Sequence, residues 1–89
     1  MAKYNLLKFT TNTKTYLQSG AIERNENVLG YHFINIGGAP VFINNLPLYP
    51  SNVLDTMYAG YQDTCTYNIR FDLTLSADAQ LLVMTYEQA

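Results

Sequence analysis

The chain has 89 residues, of which 48% are apolar and 13% aromatic but only 13% charged, about half the charged fraction of an average soluble domain. That length accommodates one domain, and the apolar content excludes a disordered acidic or basic tail. The net charge is −2, and the five cations Lys3, Lys8, Lys14, Arg24 and Arg70 never cluster; nucleic acid is therefore not expected as a partner, because displacing phosphate counterions takes grouped Lys and Arg.

The amino terminus, Met1 to Asn5, has no apolar signal core, and no stretch reaches the length of a membrane span, so we expect synthesis in a cytoplasm and no membrane partner. A single cysteine, Cys65, excludes an intramolecular disulfide. Leu6 to Phe9 and Thr13 to Leu17 are two short strand candidates rich in Thr and Tyr, separated by Thr11-Asn12. Ser19-Gly20 then marks a turn, and Glu23 to Asn27 an exposed loop. Gly30 to Ile36 reads as a strand, halted by Gly37-Gly38-Ala39-Pro40.

Val41-Phe42-Ile43 and Leu46-Pro47-Leu48 flank Asn44-Asn45. Asparagine tolerates the positive φ that a two-residue type I′ turn demands, so a hairpin is predicted. Its register opposes Ile43 to Leu46, Phe42 to Pro47 and Val41 to Leu48. Pro47 has no N–H to give a ladder and therefore belongs at a sheet edge. Val53 to Tyr58 contains mediocre helix formers and is too short for a stable helix, which favours a strand.

Tyr67, Ile69, Phe71, Leu73 and Leu75 alternate with polar residues, the signature of a half-buried strand. Ser76 to Ala79 breaks the pattern, and Gln80 to Glu87 resumes it, which suggests that the two segments pair as a hairpin. The last segment is apolar on both faces (Leu81 and Val83 on one, Leu82, Met84 and Tyr86 on the other), as in a strand that is central or covered by another subunit. These elements predict an all-β fold: one antiparallel β-sandwich over residues 1–89, jelly-roll or Ig-like, with about six to seven strands.

Constellations for chemistry are sparse. His32 is the sole histidine, and a nucleophilic site would pair it with Cys65, which is expected instead to be a small buried hydrophobe. One Cys and one His fall short of a zinc site, and the scattered aspartates Asp55, Asp63, Asp72 and Asp78 form no calcium loop, which leaves a surface calcium site without a motif at Asp63 or Asp78 as a minor alternative. No cofactor and no catalytic residue is expected. Eight tyrosines with no tryptophan point to interfaces, because the ring is apolar and its tip polar. The candidate interface residues are Tyr49, Tyr58, Tyr61, Leu82, Met84 and Tyr86. The rival use of Tyr49, Tyr58 and Tyr61 is as stacking platforms in a carbohydrate-binding module.

Phe33-Ile34-Asn35-Ile36-Gly37, Val41-Phe42-Ile43-Asn44-Asn45, Leu48-Tyr49-Pro50, Tyr67-Asn68-Ile69-Arg70-Phe71 and Leu81-Leu82-Val83 together resemble small β-sandwich proteins of tailed bacteriophages. In those proteins an Asn-x-Gly turn leads to a Val-x-Ile-Asn-Gly hairpin, a Leu-x-Pro-Gly turn and a late strand. The resemblance spans roughly residues 31–86; Asn45 and Ser51 stand where the pattern has glycine. It implies a non-enzymatic virion component, such as a head decoration, fibre-base or tail-connector subunit assembled in the host cytoplasm. Its partners would be copies of itself or a larger capsid or tail protein.

Overall fold

The structure, a computed structural model, describes residues 9–23, 28–56, 63 and 65–88. Eight strands follow in chain order: β1 (Phe9–Tyr16), β2 (Gly20–Ile22), β3 (Val28–Asn35), β4 (Val41–Ile43), β5 (Leu46–Leu48), β6 (Val53–Asp55), β7 (Tyr67–Phe71) and β8 (Leu81–Gln88). They form two antiparallel four-stranded sheets, ordered β1-β8-β3-β6 and β2-β7-β4-β5, packed as a β-sandwich.

Period-two patterning sorts the residues between the sandwich interior and its outside. From the first sheet Tyr31, Phe33, Leu81 and Val83 point inward; from the second come Val41, Ile43, Leu48, Tyr67, Ile69 and Phe71. Tyr31, Phe33 and Tyr67 form an aromatic knot. Tyr31 and Phe33 lie 5.7 Å apart between centroids, and Tyr67 meets each of them edge-on at 5.2 Å. Such pairs add about 0.5–1.5 kcal/mol each beyond the area they bury.

The β4–β5 hairpin has the register its sequence predicts, with Phe42 opposite Pro47 and β5 at the sheet edge. Asn44 and Asn45 carry φ of 49° and 68°, the two positive values a type I′ turn requires. Asn44 is held further: its side chain accepts from the Asn68 N–H at 2.8 Å and donates to the Thr66 carbonyl at 3.2 Å. Of the strand expected over Val53 to Tyr58, Val53–Asp55 is one, Thr56 falls beyond its end, and Met57 and Tyr58 lie outside the described residues.

Other expectations fail. The strand beginning at Tyr67 ends at Phe71, and Leu73 and Leu75 are 56% and 88% exposed. The Asp72 carboxylate accepts from both the amide and the hydroxyl of Thr74, at 3.1 and 2.7 Å, a local turn that outcompetes continuation of the ladder. β7 and β8 do not pair; the segment between them crosses from one sheet to the other. Indeed every connection between the described strands crosses the sandwich, except the β4–β5 turn. Thr11 and Asn12 separate nothing, because β1 runs straight through them, while Leu6 to Lys8 lie outside the described residues. Cys65 is exposed, not buried.

Among the described residues, Asn35 is the buried polar side chain of the core, 1% exposed. Its amide nitrogen donates to the carbonyls of Ala39 and Leu48, each at 2.9 Å, and its oxygen accepts from the Gly37 N–H at 3.1 Å. One side chain thus fastens the end of β3 to the β3–β4 turn and to β5. Gly37 is needed there: a Cβ would stand 2.7 Å from the backbone nitrogen of Gln80.

Candidate docking surface

The ladder registers define the outside of the first sheet row by row. One row runs Thr15, Leu82, Ile34, Val53; the next runs Thr13, Met84, His32, Asp55; the third runs Thr11, Tyr86, Gly30. All of these alternate with core residues and so face away from the second sheet. Leu82, Met84, Tyr86, His32 and Ile34 are half-buried, and Val53 is 51% exposed. The two sheets account for all the described strands, so neither layer stands over this face.

The face is poor in charge. Its ionisable groups in these rows are His32, Asp55 and Tyr86. His32 and Asp55 are cross-strand partners, with Nδ1 3.5 Å from Oδ2. That distance does not make a hydrogen bond, and Nδ1 is buried without one. The outside of the second sheet is mixed: Phe42, Pro47 and Ala21 share it with Asn68 and with Arg70, whose guanidinium lies 4.3 Å over the Phe42 ring. Apolar side chains and threonines with no covering layer among the described residues make the first sheet the sandwich's adhesive side.

A polar cluster closes one end of the core. Asp63 accepts from the Tyr67 hydroxyl at 2.6 Å, from Thr56 at 2.7 Å and from the Cys65 amide at 2.9 Å. Thr56 in turn accepts from the Tyr31 N–H at 2.9 Å. Burial raises the Asp63 carboxyl, but the hydrogen bonds from Thr56, Tyr67 and Cys65 outweigh it and hold the group below the usual carboxylate range. Burial, and then the bond it donates to Asp63, push the Tyr67 phenol far up. A phenol held protonated against a carboxylate held ionised has no proton to exchange near neutrality. This cluster is a clasp between the two sheets rather than an acid–base pair.

Among the described residues no three metal-ligating side chains converge. The Asp78 carboxylate accepts from the Gly38 N–H at 3.1 Å and from the Gln80 amide at 2.6 Å. His32 sits on the outer face of the first sheet, while Cys65 lies in the segment leading to β7. Of the candidate interface residues, Leu82, Met84 and Tyr86 are brought onto one face of β8. Tyr49 lies apart from them, 55% exposed beyond the end of β5. Tyr58 and Tyr61 lie outside the described residues. Ile34 and Val53 complete the face and were not singled out from sequence, because their place in it depends on which strands neighbour β8. No protein-family model, curated protein or solved structure matches this chain.

Proposed function

We propose that the chain is a non-enzymatic structural subunit of a viral particle of the tailed-phage type, acting by association with copies of itself and by docking on a larger capsid or tail protein. The observation that carries this is the outer face of the first sheet, where Leu82, Ile34, Val53 and Met84 stand together with no layer over them among the described residues. A catalyst of this size would need convergent ionisable groups in a cleft. The polar cluster here is instead spent on holding the sheets together.

Size sharpens the proposal. Four strands about 4.8 Å apart and up to eight residues long give a face on the order of 500 Å². A stable protein–protein contact buries about 800 Å² per partner. The face alone is too small for a permanent attachment, so further surface, such as a sheet edge, must contribute.

Gradient-purified particles from cells that make this chain provide the test. The chain should sediment with the particles at a fixed copy number relative to the major shell or tail protein, and resist a salt wash because the contact is apolar. Recovery only at the top of the gradient, as free monomer, would overturn the proposal.

A further inference from the structure

β1 terminates the first sheet at the edge away from β6. It is eight residues long, carries no proline or bulge, and reads Phe9-Thr-Thr-Asn-Thr-Lys-Thr-Tyr16. Edges of this length are usually blunted by proline, bulges or several lysines; β1 has Lys14 alone. Which of its backbone groups are free follows from the ladder. Ile36 donates to the Gln80 carbonyl, so even-numbered residues of β8 point their backbone groups at β3. Odd-numbered residues of β8 therefore point theirs at β1. Through the register, Thr10, Asn12, Lys14 and Tyr16 bond to β8, and Phe9, Thr11, Thr13 and Thr15 direct N–H and C=O to the open edge. No described strand takes them up.

We propose that this edge binds β1 of a second copy, antiparallel, about a two-fold axis at Asn12, joining two first sheets into one continuous sheet. The inference rests on the self-association proposed above and names the surface that does it. Same-face pairing requires residues of equal parity to oppose each other. Centring on Asn12 opposes Thr11 to Thr13 and Phe9 to Thr15 of the partner, so all four outward residues are used. Each such pair exchanges two bonds, about eight in all. At the centre of the outer face Thr11 meets Thr13, twice by symmetry, a favourable cross-strand pairing for β-branched side chains.

On the other face the charges match in this register. Lys14 stands opposite the partner's Thr10, and Thr10 is itself opposite Glu87 in the β1–β8 ladder. Lys14 of one copy and Glu87 of the other are then two strand spacings apart, about 10 Å between backbones, which a lysine and a glutamate extended toward each other can span. The pairing occurs twice by symmetry. Within one chain Lys14 is opposite Val83, four residues along β8 from Glu87, and its ammonium lies 4.8 Å over the Tyr16 ring. The Glu87 carboxylate accepts a hydrogen bond from Asn12, which brings it toward the proposed axis.

Cross-linking tests this register. Asn12 would face its symmetry mate as a non-hydrogen-bonded pair, about 4.5 Å between Cα atoms, within disulfide range. In a Cys65→Ser background, Asn12→Cys should form a disulfide-linked dimer under mild oxidation. Thr15→Cys, about 20 Å from its mate in this register, should not. Independently, Thr13→Pro removes an outward N–H while leaving the β1–β8 bonds intact, and should reduce the mass to monomer with an unchanged β-sheet spectrum. Lys14→Glu should raise the dimer dissociation constant several-fold, and adding Glu87→Lys should restore it. An oligomer that resists Thr13→Pro, or that cross-links no better through Asn12→Cys than through Thr15→Cys, overturns the edge pairing but leaves self-association standing. A wild-type chain that is monomeric at every concentration overturns both. If Thr13→Pro unfolds, the cysteine pair alone decides.

Discussion

Asn35→Asp changes one atom of the core and should convert a stable protein into one that folds only in acid. The asparagine nitrogen gives its two protons to the Ala39 and Leu48 carbonyls, both at 2.9 Å. An aspartate places an oxygen against those two oxygens. Protonated, it donates to one carbonyl and leaves the other unsatisfied, a loss of about 1–3 kcal/mol. Ionised, it is a buried anion facing two carbonyl dipoles, so in the folded state it keeps its proton well above the ordinary aspartate value of about 3.9. The folded state then binds a proton that the unfolded state has released, and stability falls as pH rises, by about 1.4 kcal/mol per unit. Between about pH 4 and pH 7 that amounts to about 4 kcal/mol. The combined loss of about 5–7 kcal/mol reaches the low end of the stability of small domains. Urea denaturation followed by circular dichroism at about pH 4, 5.5 and 7 measures it. A variant whose loss relative to wild type is the same at all three would refute the argument, because Asn35 would not be positioned against two carbonyls.

Other substitutions probe the remaining joints. The wild-type clasp has the opposite pH sense: Asp63 is held below its ordinary value of 3.8, so its stabilisation is complete above about that pH and is lost as pH falls through the depressed folded value. Tyr67→Phe removes one of the bonds that hold it there, and should cost about 1–2 kcal/mol at neutral pH while making the acid-side decline shallower; thermal melts between about pH 2 and 5 read both. Gly37→Ala drives a Cβ onto the backbone at the start of β8 and should cost about 1–3 kcal/mol in chemical denaturation. At the β4–β5 turn, Asn45→Gly should raise stability by about 0.5 kcal/mol, because glycine carries no penalty at φ 68°. Asn44→Ala should lower it by about 1–2 kcal/mol, because two hydrogen bonds to the strand leading from Thr66 disappear with the side chain.

The alternating pattern and the turn chemistry make several strands legible in the sequence. The β4–β5 hairpin is the clearest case, since Asn-Asn and Pro47 specify turn type, register and edge position together. What periodicity does not encode is the partner. Tyr67 to Phe71 alternates and Leu81 to Tyr86 is apolar on both faces, so both read as strands, yet they belong to different sheets, and only the sandwich closing around Phe33 and Tyr67 decides that. β1 shows the limit from the other side. Its threonines carry no apolar period, so its length and unpaired edge emerge only from its ladder with β8. The Asp63 clasp is only partly local: Cys65 and Tyr67 lie two and four residues further along the chain, whereas Thr56, which ties the carboxylate to the Tyr31 N–H, follows β6 of the other sheet and meets it only when the sheets pack. For the docking face, Leu82, Met84 and Tyr86 announced themselves by crowding both sides of one strand. Ile34 and Val53 join them only through strand order.

Solution mass tests the central claim most directly. Size exclusion with light scattering across a hundredfold range of concentration, run beside Leu82→Lys and Met84→Lys, reports whether this chain is a self-associating building block and whether the outer face takes part. The account predicts a discrete dimer for the wild type that persists in both variants, since the edge and not the face joins the pair, and attachment to the larger particle protein that is lost in the two variants. A wild-type monomer throughout would contradict it.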